Sequence, residues 1–253
     1  MKFLVSKIWP VLLIVFLVLI FFKLVFFEKK LPVPADTIVG LYYPWRDFYS
    51  KEYPRGVPFK NFLVTDPVRQ QYVWRFLSIE QIKNRQWPLW NPYNFSGNPL
   101  LANFQSAVFY PFNIFFLMLP FNFAWTILVM LQPPLAGLLL YFYLKNLKIN
   151  QWACLIGSLV WAFCGFNIAW LEWNTIGHVV LWLPLILLSI DKIIIQNNKR
   201  WNGVFIFSLC SSFFAGHLQI FLYVFIFSLI YFLVRWWVQG RKKKILIIFT
   251  FYF

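Results

Sequence analysis

The chain has 253 residues, of which 61% are hydrophobic and only 12% are charged. About 25% of the residues in a soluble domain are charged, and a soluble fold could not hold 32 Phe and 14 Trp without exposing large apolar patches. The net charge of +15 does not indicate nucleic-acid binding, because neither a basic stripe nor a nucleic-acid-binding motif accompanies it. The composition therefore predicts an integral membrane protein and no nucleic-acid partner.

The N-terminal apolar run begins with basic residues, as a signal peptide does, but it is long enough to span a bilayer. Glu28, Lys29 and Lys30 follow it, rather than a small-residue cleavage site. Residues 8–27 are therefore predicted to form an uncleaved first transmembrane helix.

Further apolar runs predict five more transmembrane helices, at residues 123–144, 152–171, 177–195, 201–215 and 218–234. Residues 107–119 form a short, aromatic segment with prolines in and next to it. This segment is predicted to lie at the membrane interface or to re-enter the membrane. A seventh helix starts at residue 245 and stops at residue 253, well short of a span. We therefore expect the chain to be the N-terminal part of a longer protein.

The distribution of cations predicts the orientation in the membrane. Short connections that carry basic residues alternate with the cation-free connections at residues 172–176 and near Gly216. The basic connections contain Lys145, Lys148, Lys192, Lys199, Arg200, Arg235 and residues 241–244. Because short basic loops stay in the cytoplasm, the N-terminus is predicted to be cytoplasmic. Residues 28–105 are then extracytoplasmic, provided that residues 107–119 do not cross.

This long loop holds most of the acidic residues and is dense in aromatic and amide side chains. Residues 66–83 predict an external helix, with Asp66 as its N-cap and Pro67 at its first position. The prolines and Gly97 that follow predict an ordered but irregular segment. Its Trp, Tyr, Asn and Gln side chains suit a sugar-binding surface and equally suit an aromatic belt at headgroup level, and composition alone does not choose between them.

The phrase PLWNPYNFSGNPLLANFQSAVFYP at residues 88–111 resembles the external-loop signature of the YfhO-like bacterial membrane proteins, which share the GT-C glycosyltransferase architecture. The phrases TDPVRQQYVW, LVWAFCGFNIAW, LWLPLILLSIDK and AGHLQIFLY support the resemblance, which extends from Asp36 to about Tyr223. It implies an all-α, polytopic helix bundle of GT-C type with about six or seven transmembrane helices in this part of the protein and a long first extracytoplasmic loop.

The resemblance also implies a function. Such enzymes use a polyprenyl-phosphate-linked sugar donor at the outer face of the membrane lipid bilayer, and the acceptor is a cell-envelope glycopolymer or glycan. A carboxylate of the first external loop acts as general base in such enzymes, and Asp66 in TDPVRQQY matches it best. Asp36 in PADTIVG matches the common position of a catalytic or metal-associated carboxylate in the wider superfold. The chemistry agrees, because the acceptor hydroxyl must lose a proton as the bond to phosphate breaks. The leaving phosphate needs cations, for which Arg46, Arg69 and Arg75 are candidates.

Further residues are predicted to bind substrate, either from the loop or from the outer ends of the helices. They are Arg69, Gln71, Tyr72, Arg75, Trp90, Asn91, Asn103 and Gln105 in the loop, and Glu172, His178, His217 and Gln219 at the helix ends. The sequence identifies no particular cofactor; a divalent metal stays open, although no His pair has the spacing of a helix-borne zinc site. Asp191 is predicted to pair with its neighbour Lys192.

Two alternatives stay open at this point. The chain could be a non-catalytic transporter or flippase for lipid-linked sugars, or an assembly partner for envelope enzymes. A transporter would place its polar residues along a path at the bilayer midplane, whereas the polar residues of this sequence cluster towards one outer face.

Overall fold

The computed structural model describes residues 2–58, 64–198 and 200–240, with side chains from Trp9 onward. The predicted seventh helix at residues 245–253 lies outside the described residues. In the described part, four stretches are long and apolar enough to cross a bilayer: Phe121–Asn146, Gln151–Ala169, Ile176–Ile194 and Leu218–Val238. Trp9–Phe21 and Trp201–Phe214 are shorter apolar helices. The chain is an all-α membrane protein.

The helices follow the predicted apolar runs, but three of the runs are interrupted. The elements are α1 (Lys2–Phe21), α2 (Lys23–Phe27), α3 (Asp36–Leu41), α4 (Trp45–Phe48), α5 (Tyr72–Lys83), α6 (Ile114–Met118), α7 (Phe121–Asn146), α8 (Gln151–Phe163), α9 (Gly165–Ala169), α10 (Ile176–Val180), α11 (Leu183–Ile194), α12 (Trp201–Phe214) and α13 (Leu218–Val238). Phe22 divides the first run, the extended backbone of Cys164 separates α8 from α9, and Leu181 and Trp182 separate α10 from α11. The last break falls just before Pro184, which has no N–H to continue a helix.

The centre of the bundle is the α10–α11 stretch. It is mostly buried, whereas little of α13 is buried, so most of the apolar surface of α13 is left uncovered by the other described residues. One core cluster joins Ile186, Ile190 and Ile194 of α11 to Phe205 of α12 and Phe232 of α13. Helix α7 packs against α8, α11 and α1. Residues of α7 therefore contact most of the membrane bundle.

The loop helix α5 is docked onto one end of this bundle. Ile79 of α5, Phe116 of α6 and Trp125 of α7 are buried in a second core cluster, together with Val18 and Phe22. Residues 107–119, predicted to be interfacial or re-entrant, form a bent segment that ends in the five-residue helix α6 and packs between α5 and α7. The part of the long loop that forms α5 is thus packed into the core of the protein.

Two short antiparallel strands follow α5. They are β1 (Trp90–Asn91) and β2 (Asn98–Pro99), with Trp90 opposite Pro99 and Asn91 opposite Asn98. The segment that was predicted to be ordered but irregular is therefore a small β-hairpin with a six-residue connection.

Candidate functional site

Asp66 stands at the start of the turn that leads into α5, but it does not cap a helix. Its own backbone is helical (φ −58°, ψ −40°), and its side chain makes no capping hydrogen bond. The helical hydrogen bonding starts one residue earlier, since the Thr65 carbonyl accepts from the N–H groups of Val68 and Arg69. The predicted N-cap role of Asp66 is therefore wrong. Its half-buried carboxylate accepts only a long bond (3.3 Å) from Nε2 of Gln70 in the described part.

Asp36, the other predicted base, is the first residue of α3 and is half-buried. Beside it, the buried Thr37 hydroxyl donates to the carbonyl of Pro34. The guanidinium of Arg69 lies over the ring of Tyr42, 5.4 Å from its centroid. This contact joins the segment that contains Asp36 to the turn that follows Asp66, so both carboxylates belong to neighbouring parts of the loop.

Arg75 is the centre of a buried polar group that we call the Arg75 cluster: Gln71, Arg75, Gln105, Ser106 and Asn113. The Arg75 side chain, predicted to lie in an external loop, is only 1% exposed. Its Nε donates to the Ser106 carbonyl (3.1 Å) and its Nη1 to Oδ1 of Asn113 (2.7 Å). Burial lowers the pKa of the Arg75 guanidinium to about 10, so the group is still charged at neutral pH.

No carboxylate neutralises this charge among the described residues, because each ion pair there is formed by other side chains. Gln71 Nε2 donates to Oε1 of Gln105 (2.8 Å), and Asn113 Nδ2 donates to the carbonyls of Ala107 and Val108. Three buried polar atoms of the cluster have no protein partner in the described part: Arg75 Nη2, Ser106 Oγ and Gln71 Oε1. One nitrogen of a buried cation and two further polar atoms are thus left without a protein partner at one place in the described part.

A chain of hydrogen bonds leads from this region into the helix bundle. The Tyr110 hydroxyl bonds to Nδ1 of His178 (2.8 Å), and Nε2 of His178 bonds to Oδ1 of Asn174 (2.9 Å). Gln132 of α7 donates to the same Asn174 oxygen (3.3 Å) and to the Leu171 carbonyl (3.0 Å). His178 was predicted at the outer mouth of its helix, but it is fully buried and bonded through both ring nitrogens.

The turns before α10 and α13 close around the Arg75 cluster. Gly216 has φ +100°, and a Cβ there would lie 2.8 Å from Cβ of Ala107 and 3.3 Å from Cγ2 of Thr175. His217, the next residue, caps α13 by accepting from the Ile220 N–H (3.3 Å). The turn Leu171–Trp173, which holds the half-buried Glu172, packs against the turn Pro67–Gln71 that follows Asp66. The predicted residues Asp66, Gln71, Arg75, Gln105, Glu172, His178 and His217 therefore lie at the same end of the bundle.

Other predicted binding residues make local contacts instead. Asn91 is buried and accepts from the Tyr93 N–H, and Asn103 accepts from the Gln105 N–H at the start of a short turn. Tyr72 donates to Asn122, and the exposed Gln219 donates to the Tyr223 hydroxyl on its own helix. Trp90 is half-exposed on β1. Sequence reasoning missed Ser106, Asn113, Asn174 and Gln132, although a polar residue within an apolar run such as YPFNIFF or VMLQPP was an available signal.

A second buried charge, that of Asp191, lies near the C-terminal end of α11. Asp191 accepts from Arg235 of α13 through Nε (2.6 Å) and Nη2 (2.9 Å), from the Tyr231 hydroxyl (2.9 Å) and from Asn146 (3.2 Å). The predicted pair with Lys192 is wrong, because adjacent helical side chains point about 100° apart and Asp191 faces the bundle. We call these four residues the Asp191 cluster.

A metal centre is not formed by the described side chains, since no three His, Cys, Asp or Glu residues among them lie together. The fold and its buried polar groups define an all-α membrane protein with a loop helix packed on one end of the bundle. A family model described as Bacterial membrane protein YfhO matches residues 98–253, more than half of the chain. The chain belongs to this family, as its loop phrase predicted. Neither a curated protein nor a solved structure matches it.

Proposed function

We propose that the protein is a membrane glycosyltransferase of GT-C type that moves a sugar from a polyprenyl-phosphate-linked donor to an extracytoplasmic acceptor of the cell envelope. The observation that carries this proposal is the Arg75 cluster, where a buried guanidinium has no carboxylate partner among the described residues. An uncompensated buried charge costs several kcal/mol, and a phosphate group of the substrate would neutralise it.

The unpartnered atoms suit a sugar phosphate. Arg75 Nη2 and the Ser106 hydroxyl are donors for phosphoryl oxygens, and Gln71 Oε1 is an acceptor for a sugar hydroxyl. A guanidinium is the side chain best matched to phosphate geometry. Donors held in place before the reaction stabilise the charge that develops on a leaving phosphate.

In the proposed reaction the acceptor oxygen attacks the anomeric carbon of the donor. The carboxylate of Asp66 takes the hydroxyl proton as the new C–O bond forms. The bond between the anomeric carbon and the phosphate oxygen breaks, and its electron pair stays on polyprenyl phosphate. Asp66 suits the role of base because its carboxylate is half-buried, makes no cap and forms no ion pair among the described residues. Asp36 is the second candidate for the same role.

Transfer from labelled polyprenyl-phosphate sugars, with the full-length protein in membranes, tests this proposal. Asp66→Asn, or Asp36→Asn if that residue is the base, should lower the transfer rate by about 10²–10⁴-fold. The exposed Glu52→Gln is the matched control and should transfer at the rate of the unaltered protein. Transfer at that same rate by the double variant Asp36→Asn, Asp66→Asn would contradict the mechanism.

The proposal includes a topology of about six or seven spans in this part of the protein, with a cytoplasmic N-terminus and an extracytoplasmic loop at residues 28–105. In a cysteine-free background, a membrane-impermeant maleimide applied to intact cells should label Ser50→Cys. It should not label Gln196→Cys until the cells are opened; both positions are exposed. External labelling of Gln196→Cys would overturn this orientation, because the assignment depends on the basic connections.

One observation favours transport of a lipid-linked sugar as a second candidate. The hydrogen-bond chain from Tyr110 through His178 reaches Gln132 inside the bundle, beside a cavity of about 10 Å³ that Asn167 and Gly177 also line. Polar residues at membrane depth often mark substrate paths. A transporter would move the donor across vesicle membranes even when both loop aspartates are replaced by asparagine, whereas the transferase loses its activity.

A further inference from the structure

The hairpin that follows α5 presents an unusual set of large apolar side chains to its surroundings. We call residues 87–99 the aromatic hairpin. Trp87, Leu89, Trp90, Tyr93 and Phe95 are each more than half exposed, and Phe95, at the tip, is 97% exposed. Exposed apolar patches of this kind mark protein contacts or membrane contacts.

The backbone of the hairpin fixes this exposure. Phe95, Ser96 and Gly97 all have positive φ values (51°, 64° and 110°), and the Gly97 N–H bonds to the Asn94 carbonyl (2.7 Å). Only glycine fits at position 97, because a Cβ there would overlap the indole of Trp90. The base is also held, since Leu100 N–H donates to the Leu89 carbonyl and Gln81 donates to the Trp90 carbonyl (both 2.9 Å). The rings at the tip therefore cannot fold back on the loop without breaking these contacts.

Two amides that could accompany a sugar site, those of Gln81 and Asn91, bond to the hairpin backbone instead, and Asn94 and Asn98 are half-buried. The Asn91 side chain is buried and accepts from the backbone N–H of Tyr93, and the Gln81 amide donates to the backbone of Trp90. A sugar-binding surface needs amides or carboxylates beside its aromatic rings to bond hydroxyls. The exposed face of the aromatic hairpin is instead formed mainly by rings and by Leu89, which is the composition of a membrane-interface belt.

The charges around the hairpin favour binding to an anionic membrane surface. From residue 81 to residue 171 the sequence has no acidic residue. Lys83 pairs with Glu80 (3.8 Å), whereas Arg85, beside the hairpin base, forms no ion pair among the described residues. A groove of about 270 Å³ at this base has Arg85 and Gln86 among its lining residues, together with the apolar Trp87, Val108 and Phe109. A cationic side chain above apolar walls matches an anionic lipid, whose charged headgroup continues into apolar chains.

The position of the groove points to the bilayer. The ring of Phe109 contacts that of Phe214, the last residue of α12, at a centroid distance of 5.7 Å. The ring of Phe104 likewise contacts Phe213 at 5.0 Å. The hairpin base is therefore level with the ends of the membrane helices, where the headgroups of a bilayer lie.

We propose that the aromatic hairpin is an anchor that lies in the headgroup region of the outer leaflet and binds anionic phospholipid at the Arg85 groove. The choice of leaflet rests on the topology proposed above, but the anchor requires no transferase activity. It holds the end of α5, and with it the Arg75 cluster, at the membrane surface.

Fluorescence quenching tests this proposal without an activity assay. The full chain, with its native cysteines replaced by serine, carries a bimane label on Phe95→Cys and is placed in nanodiscs of phosphatidylglycerol and phosphatidylethanolamine. Arg55→Cys, an exposed polar position of the same loop, is the control. Nitroxide-labelled lipid should quench position 95 several-fold more than position 55, and aqueous iodide should quench position 95 less. Arg85→Gln should weaken the preference for phosphatidylglycerol over phosphatidylethanolamine.

Three results would overturn the anchor. Equal iodide quenching at positions 95 and 55 would place the tip in water. Protection of position 95 that arises only when soluble glycan is added would make the surface a carbohydrate site. Disulfide dimers through Phe95→Cys, without lipid quenching, would make it a contact between copies of the chain. Because none of these measurements involves transfer, loss of the anchor proposal and loss of the proposed function are distinguishable.

Discussion

Two arginines in the described part, the half-buried Arg235 and the fully buried Arg75, have opposite surroundings. Arg235 donates twice to the carboxylate of Asp191, which also accepts from Tyr231 and Asn146. Arg75 is more deeply buried, yet its partners are only a carbonyl and an amide oxygen, and its Nη2 has no partner in the described part. The Asp191 cluster is therefore balanced in charge and complete in its hydrogen bonds. The Arg75 cluster is neither balanced nor complete.

The contrast separates a structural role from a functional one. A buried ion pair that is also hydrogen-bonded joins helices, as the Asp191 cluster joins α7, α11 and α13. A buried cation without a counter-charge lowers stability unless a ligand supplies that charge. Local rules are broken mostly at functional sites, so the incomplete cluster is the stronger candidate for substrate binding.

The largest expected effect on stability is that of removing Arg235. Arg235→Met leaves Asp191 buried without its cation, which should lower the free energy of unfolding by about 3–5 kcal/mol. Thermal unfolding in detergent micelles measures the change. Arg75→Met is the matched substitution, and it should cost less because it leaves no buried charge behind.

A double variant sharpens this comparison. Asp191→Leu combined with Arg235→Met removes both charges, and it should recover most of the lost stability, since apolar replacements of buried ion pairs are often neutral. If Arg75→Met destabilises the protein as strongly as Arg235→Met does, the Arg75 cluster is structural and the distinction between the clusters fails.

A smaller effect is expected from glycine substitutions in α10 and α12. A Cβ at Gly177 would overlap Oε1 of Gln132, whereas a Cβ at Gly203 would have no neighbour within 4 Å. Gly177→Ala should therefore cost about 1–3 kcal/mol through overpacking, and Gly203→Ala should be neutral or stabilise α12 by about 0.5–1 kcal/mol. The same thermal-unfolding assay compares the two variants. Equal effects would show that the Gln132 side chain moves aside at little energetic cost.

Much of the fold was readable from the sequence, because apolar runs in a membrane protein have few alternatives to helix. The family followed from the phrase at residues 88–111, and the loop helix from Asp66 to Lys83 was largely as predicted. The pairing of Asp191 with Arg235 was not readable, since these residues are distant in sequence and only the packing of α11 against α13 brings them together.

The burial of Arg75 could not be predicted from the sequence either. A charged residue in a long, polar loop is normally solvent-exposed, and only the docking of α5 against residues 104–116 removes this one from water. The predicted N-cap role of Asp66 failed on one backbone detail, because the helical hydrogen bonding starts at Thr65. Sequence patterns place helix ends only to within a few residues.

The central claim is that the Arg75 cluster binds the phosphate of a lipid-linked sugar, and binding of labelled polyprenyl phosphate to the purified protein tests it most directly. Arg75→Met should weaken binding by about 10- to 100-fold, since hydrogen bonds to charged groups contribute about 1.5–3 kcal/mol. Arg55→Met removes an exposed arginine of the same loop and should leave the affinity unchanged. Equal affinities for the unaltered protein and folded Arg75→Met would contradict the account.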